Sequence, residues 1–461
     1  MRQKLLTFFA AILCAASINA QIDAPLTFEA VVAGATVTYN LSAPIQYSTD
    51  GVNWSDYSSS ITLANVGDKV SFRGNNPSYN NTAPTNPTFQ CSDDCYIYGN
   101  IMSLVDATNY ATATTLTADY TFCYMFYTNT HIKNHSSKDL VLPATTLTGI
   151  CYHSMFSGCT GLTRTPELPA TTLASSCYEC MFDNCTGLTS TPVLPATFLP
   201  KRYCYRYMFR GCSNLSSVTC YATSRDGANT TTDWLNGVAS SGTFYAHVNS
   251  VFKGQARNAS NIPSDWNIVY VFPITANEDP NNLGTYYSTF YDGTNKYELP
   301  AGVEAYTATI SGDALNLTKI AQGGQVIPAA SAVILKSSIQ NYALMLSAES
   351  PESEGTNNLL GVDEATSNPR PDYIYVLSAA DGEVGFYKLR SDANIPANKA
   401  YIDLYGVSSA PRRLRFVFDA TTGVGEITND QSPMTNKVLR DGRLIIIRNG
   451  VEYNANGQTM K

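Results

Sequence analysis

The chain has 461 residues, of which 44% are hydrophobic and only 14% are charged, and its formal net charge is −8. This apolar content is enough to build hydrophobic cores, which excludes a wholly disordered chain. The negative charge argues against a nucleic-acid-binding protein, because such proteins usually carry a basic face. The composition therefore predicts a folded protein without a nucleic-acid partner.

The first 20 residues are typical of an export signal. Arg2 and Lys4 supply the positive start, and residues 5–16 form an apolar stretch of the length found in signal peptides. That stretch is too short to cross a bilayer as a helix, and no later segment is longer. We expect cleavage after Ala20, a secreted or cell-surface protein on the outer-membrane exterior, and no transmembrane segment.

Residues 21–90 predict an N-terminal β module, because alternating runs such as 67–75 are broken by Gly and Asn. Residues 91–223 then contain an internal repeat. Three segments that align on Leu-Pro-Ala begin at Leu142, Leu168 and Leu194, 26 residues apart, and a decayed copy precedes them. Equivalent residues of such repeats stack and bury a common core. The pattern predicts a mainly β chain with a short solenoid, in which each coil has a strand, as at 162–168, and a short helix or turn.

Apolar residues recur at fixed positions of the three repeats and predict the core of this solenoid. These columns are Leu147/Leu173/Leu199, Phe156/Phe182/Phe209 and Leu162/Leu188/Leu215. Two further columns consist of cysteine, namely Cys151/Cys177/Cys204 and Cys159/Cys185/Cys212. Neighbours in a column would lie about 5 Å apart, close enough for a disulfide, but buried thiols also pack well in cores. We favour a ladder of structural thiols, and regard Cys91 and Cys95, outside the columns, as a possible disulfide.

The pattern Met-Phe-x-x-Cys-Thr-x-Leu-Thr-x-x-Pro resembles the BspA-type leucine-rich repeat of surface proteins from anaerobic gut and oral bacteria. In that family Ala-Phe-x-x-Cys-x-x-Leu opens each coil, and a short strand follows. Phe156, Phe182 and Phe209 take the aromatic position, and Cys159 and its equivalents the cysteine. The common family period is 23 residues, so these coils are a longer variant. The resemblance implies a leucine-rich-repeat fold and a role in adhesion.

The remainder of the chain divides into three parts by its sequence pattern. Residues 224–272 predict the cap that covers the last apolar face of a repeat array. Residues 273–425 contain regularly spaced alternating strands without cysteine, which favour a β-sandwich, and residues 275–284 are its expected linker. Residues 426–461 predict a hairpin with a turn at Asn449-Gly450. This tail resembles short C-terminal sorting domains, or it is the last hairpin of the sandwich.

Catalytic and metal-binding patterns are sparse. His131 and His135 are spaced i, i+4 downstream of Cys91 and Cys95, but this spacing matches no zinc module. The chain has no Gly-x-Ser-x-Gly elbow and no phosphate-binding Gly-x-x-x-x-Gly-Lys. We predict no catalytic residues, no metal and no cofactor.

Candidate ligand-binding residues lie in the repeats. Tyr152, Tyr178 and Tyr205 recur at one position and form either an exposed aromatic ladder or part of the core. Arg206 and Arg210, near Lys201 and Arg202, could meet an anionic ligand or form an ordinary solvated face.

Two functions remain open. The first is a non-enzymatic surface or secreted protein that binds a host extracellular protein or glycan. The second is a secreted polysaccharide hydrolase with the repeats as an accessory. Scarce histidine and the lack of a large α/β or barrel domain favour the first.

Overall fold

The computed structural model describes residues 23–79, 87–200, 202–351, 356–370, 372–407 and 411–418, and the backbone of 435–440, 443–448 and 451–453. The predicted signal peptide at 1–20 lies outside these residues. The described chain is mainly β, and its helices are single 3-10 turns at Ile101–Leu104, Ala228–Thr231 and Ala380–Gly382. Within these ranges, no helix has the length and apolarity needed to cross a bilayer.

The N-terminal part consists of two packed sheets. Its strands are β1 (Leu26–Ala30), β2 (Ala35–Tyr39), β3 (Ile45–Ser48), β4 (Ser55–Asp56), β5 (Ile61–Leu63), β6 (Lys69–Gly74), β7 (Phe89–Cys91) and β8 (Cys95–Asn100). One sheet contains β8-β1-β6-β3-β4 and the other β5-β2-β7, all antiparallel. Phe28 of the first sheet and Phe89 of the second are fully buried, with ring centroids 5.5 Å apart. These rings form the centre of the module's core.

The predicted boundary between this module and the repeats, at 90/91, does not coincide with a break in strand pairing. It falls inside β7, and β8, which the sequence assigned to the repeats, pairs with β1 over Thr27–Ala30. The same β8 pairs in parallel with β9 (Ile132–Asn134) and β10 (Leu140–Val141) of the following segment. Because one strand belongs to both parts, a change in composition cannot mark the boundary.

The Cys-Tyr-x-x-Met-Phe stretches of the repeats are chains of tight turns and not helices. In the first repeat, Ile150, Ser154 and Gly158 have left-handed φ angles of 59°, 52° and 77°. The same spacing of four recurs in the neighbouring copies, at Tyr120/Tyr124/Thr128, Ser176/Cys180/Asn184 and Tyr203/Tyr207/Gly211. Every fourth residue therefore reverses the backbone, which prevents an α-helix from forming.

Main-chain hydrogen bonds in these turns alternate between two directions. The N–H of Met155 donates to the carbonyl of Tyr152, three residues back, at 3.2 Å. The N–H of Tyr152 donates instead to the carbonyl of Cys177 in the next repeat, at 3.0 Å, and that of Phe156 to Met181 at 2.9 Å. This ladder runs from the decayed copy to Asn236. It satisfies buried backbone groups that no helix or sheet would otherwise pair.

The predicted phenylalanine column is confirmed. Phe156, Phe182 and Phe209 are fully buried, and their rings stack with centroids 5.4 and 5.6 Å apart and planes within 3° of parallel. Phe126 of the decayed copy continues the column at 5.4 Å. Successive repeats are thus stacked in register about a shared core.

Among the three aligned repeats, strands are present from the second repeat onward. The strands from there to residue 275 are β11 (Ser190–Leu194), β12 (Phe198–Leu199), β13 (Ser217–Cys220), β14 (Ser224–Arg225), β15 (Thr243–His247) and β16 (Asn267–Thr275). The strand expected at 162–168 is absent. The side-chain oxygen of Asn134 accepts the N–H groups of Thr163 and Arg164, and Pro166 has no N–H to contribute. Two N–H groups of this segment are therefore already paired with a side chain, and a third position has none to donate.

Strand β16 joins the repeats to the C-terminal part. Residues 267–271 pair in parallel with β15, and residues 271–275 pair antiparallel with β24 (Asn341–Ser347). The predicted boundary at 272/273 thus lies inside a strand, and the expected linker at 275–284 contains β17 (Asn277–Glu278). The sequence does not reveal that the strand changes partners halfway along its length.

Most remaining strands form one curled, ten-stranded sheet, ordered β17-β18-β23-β20-β21-β31-β28-β27-β30-β25. The bounds are β18 (Tyr286–Phe290), β19 (Lys296–Glu298), β20 (Val303–Ser311), β21 (Ala314–Gln322), β22 (Val326–Ile327), β23 (Val333–Ser337), β25 (Leu360–Val362), β26 (Thr366–Ser367), β27 (Ile374–Ser378), β28 (Gly385–Lys388), β29 (Asn394–Ile395), β30 (Lys399–Asp403) and β31 (Arg413–Phe418). The strands β24, β19 and β22 instead extend the repeat sheet through β16. This strand order differs from the self-contained sandwich that the sequence predicted.

The described tail is a three-stranded antiparallel sheet of β32 (Thr435–Arg440), β33 (Arg443–Arg448) and β34 (Val451–Tyr453). Arg448 pairs with Val451, which leaves two residues between β33 and β34. The predicted turn at Asn449-Gly450 itself lies outside the described residues.

Candidate binding face

The three tyrosines proposed as ligand contacts lie in the core. Tyr152, Tyr178 and Tyr205 are each 1% exposed, and their rings stack at 5.7 and 6.2 Å. The stack continues through Phe122 at one end and Trp234 at the other. The aromatic ladder therefore exists, but it packs beside the phenylalanine column and contributes to the fold. Of the two alternatives that the sequence left open for these tyrosines, the structure has the core position, and the exposed binding ladder is not formed.

The cysteine columns are also interior. Cys151, Cys177, Cys204, Cys159, Cys185 and Cys212 are fully buried free thiols. In the second column each sulfur donates to the carbonyl of a phenylalanine in the preceding repeat, and Cys159 bonds Phe126 and Cys212 bonds Phe182 at 3.0 Å. Burial raises the pKa of Cys212 to about 12. These thiols are structural donors with little tendency to ionise.

Cys91 and Cys95, which the sequence offered as a possible disulfide, are free thiols on β7 and β8. The hydrogen bond between the two thiols is the main cause that raises the pKa of Cys91, and burial is the second. The same hydrogen bond lowers the pKa of Cys95. The histidines nearby have other partners, since His131 contacts Asp94 at 3.2 Å and His135 packs against Tyr96. Among the described residues, no group of three ligands is arranged to hold a metal.

Arg206 and Arg210 lie on the outer side of the turns, each bound to a buried carboxylate one repeat earlier. Arg210 makes a two-point contact with Asp183, Nε to Oδ1 at 2.9 Å and Nη2 to Oδ2 at 2.6 Å. Both Nε and Nη2 of Arg206 donate to Oε1 of Glu179. Glu179 and Asp183 are 4% and 6% exposed, so the two carboxylates bind the arginines from the interior side of the turns. Paired guanidinium–carboxylate contacts of this kind fix orientation as well as charge.

Tyrosine rings flank both guanidinium groups. The Cζ of Arg206 lies 3.9 Å from the ring centroid of Tyr203, and the Cζ of Arg210 lies 4.3 Å from that of Tyr207. Arg206 is also 5.2 Å from Tyr207. All four side chains are partly exposed. They form an alternating layer of planar groups across the third repeat.

The same surface continues toward the decayed copy. Tyr124 and Tyr127 meet edge to face at 5.2 Å, and the Tyr124 hydroxyl lies 3.1 Å from Nε2 of His153. Nδ1 of His153 is buried without a hydrogen-bond partner, 3.9 Å from Oε2 of Glu179. Burial lowers the pKa of His153, opposed by Glu179 and assisted by Arg206. We call the partly exposed side chains of this surface the turn face: Tyr124, Tyr127, His153, Tyr203, Arg206, Tyr207 and Arg210.

Repeat geometry explains how the turn face forms. His153, Glu179 and Arg206 occupy one column of the repeats, and Asp183 and Arg210 share the column four residues later, next to the left-handed positions. Side chains of successive repeats in one column lie directly beside each other, so opposite charges in adjacent repeats meet. Glu179 and Arg206 are 27 residues apart at one position of the repeats, and this spacing is the signal in the sequence that pairs them.

Comparison with known proteins adds no further assignment. No family model matches the chain, and neither a curated protein nor a solved structure matches it.

Proposed function

We propose that the chain is an exported, non-catalytic protein that binds a host extracellular protein or glycan. In this proposal residues 101–223 form a solenoid of the BspA-type leucine-rich repeat, and the mature protein is secreted or displayed on the cell surface after cleavage at Ala20. The stacked 26-residue repeats and the phenylalanine column support this reading. The family's association with adhesion supports the role.

The observation that carries the binding role is the preorganised layer on the third repeat. Arg206 and Arg210 are held in place by buried carboxylates before any ligand arrives, and each guanidinium group lies over a tyrosine ring, Tyr203 or Tyr207. Ordered tyrosine and arginine side chains lose little conformational entropy on binding and often dominate recognition surfaces. Such a surface favours binding over chemistry, because both acidic groups in it already engage an arginine.

The experiment compares the mature chain with a variant that lacks the ion pair between Asp183 and Arg210 at the turn face. The double substitution Asp183→Asn and Arg210→Gln takes away both charges together and leaves no buried charge unpaired. Immobilised matrix glycoproteins and soluble polysaccharides serve as probes. We expect at least tenfold weaker binding to the best probe while the melting temperature stays within a few degrees.

A matched control exists on the C-terminal part. Arg370 contacts Asp403 at 2.6 Å and lies 4.6 Å from the ring of Tyr405, which reproduces the arrangement of Arg210. The double variant Asp403→Asn and Arg370→Gln is expected to bind as the wild type does. Equal binding by both variants contradicts the proposed face, and turnover of any polysaccharide or peptide probe contradicts the non-catalytic role.

A further inference from the structure

We infer that His153 is an acid-responsive residue of the turn face. Once its imidazole is protonated, Nδ1–H pairs with Oε2 of Glu179, and three successive repeats are joined through His153, Glu179 and Arg206. Protonation changes the charge of the turn face whether or not a ligand is bound there. Arg206 and Arg210 are already balanced by Glu179 and Asp183. These charged groups therefore cancel at neutral pH, and protonated His153 adds one net positive charge to them in acid.

The two ring nitrogens of His153 have different surroundings. Nε2 lies 3.1 Å from the hydroxyl of Tyr124. Nδ1 is buried without a hydrogen-bond partner among the described residues, and it lies 3.9 Å from Oε2 of Glu179. That distance is short enough for an ion pair and too long for a hydrogen bond. A protonated imidazole carries hydrogen on both nitrogens, so it can donate to the Tyr124 hydroxyl and to the carboxylate at the same time.

Glu179 has one carboxylate oxygen left for this contact. Both Nε and Nη2 of Arg206 donate to Oε1, whereas Oε2 is the oxygen that lies next to His153. The side chains of His153 and Glu179 are only 19% and 6% exposed. Charges that are largely shielded from water attract each other more strongly than charges at an open surface. One carboxylate can thus bind a cation of the preceding repeat and a cation of the following repeat.

The other histidines of the chain lack this arrangement. Nδ1 of His135 and of His247 accepts a main-chain N–H from two residues further along, at 3.1 and 3.0 Å. Protonation at that nitrogen would break the hydrogen bond. His131 does meet a carboxylate, that of Asp94, but the two side chains are 43% and 38% exposed. Among the four histidines, His153 is the one whose buried Nδ1 gains a partner on protonation.

The groups around His153 and its partner Tyr124 leave two charges that act on the imidazole. The titratable or charged groups there are Cys123, Tyr124, Glu179, Cys180 and Arg206. Burial raises the pKa of Cys123 to about 12 and that of Cys180 to about 11, and it also raises the pKa of Tyr124. These three groups stay neutral in mild acid. Burial lowers the pKa of His153 most, Glu179 raises it, and Arg206 lowers it.

The test follows the titration of the histidine rings by NMR in the mature chain labelled with 15N-histidine. Glu179→Gln should lower the titration midpoint of His153 by about half a pH unit or more, and Arg206→Gln should raise it by a similar amount, because each removes one charge of opposite sign. The variant His153→Gln identifies the resonance. His247 is the internal control, and its midpoint should be the same in the wild type and in both charge variants.

A second measurement in the wild type does not depend on a variant. At pH 5 the Nδ1 proton of His153 should exchange slowly enough with water to be observed, and Glu179→Gln should abolish its signal. A midpoint that both charge variants leave unchanged, or move in the same direction, overturns the inference. A wild-type Nδ1 proton that is not protected at pH 5 also overturns it. Because the spectra are recorded without a ligand, these outcomes leave the proposed binding function standing.

Discussion

The Sγ of Cys185 donates a 3.0 Å hydrogen bond to the main-chain carbonyl of Phe156, one repeat earlier. The same carbonyl accepts the N–H of Cys159 at 2.9 Å, so both of its acceptor positions are used. A disulfide to a neighbouring cysteine would remove this thiol donor and leave the carbonyl with one partner. The hydrogen bonds of this column therefore require reduced thiols, although exported proteins commonly contain disulfides.

Thiol reactivity tests this arrangement. In the folded chain, alkylation at pH 8 should be slow at Cys159, Cys185 and Cys212, because burial raises their pKa and excludes the reagent. After unfolding without reductant, mass spectrometry should find all three alkylated. Blocked thiols in the unfolded, unreduced chain would show that disulfides link the column.

The free energy of unfolding should fall more steeply at alkaline pH in this chain than in a protein that has no buried thiols. Burial raises the pKa of Cys151 and Cys204 to about 12 in the folded state, well above the ordinary value near 9. The unfolded chain therefore loses protons first, and stability that is full below pH 8 falls as the pH rises through 9 to 12. Each such thiol contributes about 1.4 kcal/mol per pH unit. Urea unfolding from pH 7 to 10 measures the slope, and Cys204→Ala should reduce it.

The left-handed corner at Thr128 predicts a stabilising substitution. Thr128 is exposed, β-branched and held at a φ of 55°, where the first and third repeats have Gly158 and Gly211. Thr128→Gly should raise the free energy of unfolding by about 1 kcal/mol, because glycine adopts this conformation without steric cost. Thr130→Gly, at an exposed position without a left-handed φ, should lower it instead. Equal effects of the two changes in chemical denaturation would contradict the strain assigned to Thr128.

His153 should make stability depend on pH in the mildly acidic range. Burial lowers its pKa below the usual 6.5, so the unfolded chain takes up a proton before the folded one does. The stabilisation that comes from the neutral His153 imidazole is present above pH 6.5 and is lost as the pH falls through the pKa of the folded state. Between pH 7.5 and 5, the melting temperature of the wild type should fall a few degrees more than that of His153→Gln. Identical pH profiles would contradict a His153 whose pKa is lowered in the folded chain.

The sequence alone indicated that the recurring phenylalanine and cysteine positions of the repeats are buried. Identical residues returning every 26 positions, such as Phe156 and Phe182, must stack when the repeats stack, because each lies at the same place in its own coil. It also indicated a mainly β chain. The period alone does not distinguish the inner from the outer side of a coil for an amphipathic residue, which is why the sequence left Tyr178 open between the core and an exposed surface.

Tertiary structure decided the candidate site and the boundaries between parts. Glu179 and Arg206 contact each other only because the stacking of the second and third repeats brings the same position of each repeat together. Burial of Glu179 then makes the contact specific. Likewise, β16 holds two parts of the chain together because its two halves pair with different strands. Such relationships depend on hydrogen bonding and packing between segments far apart in the chain, and local composition carries no record of them.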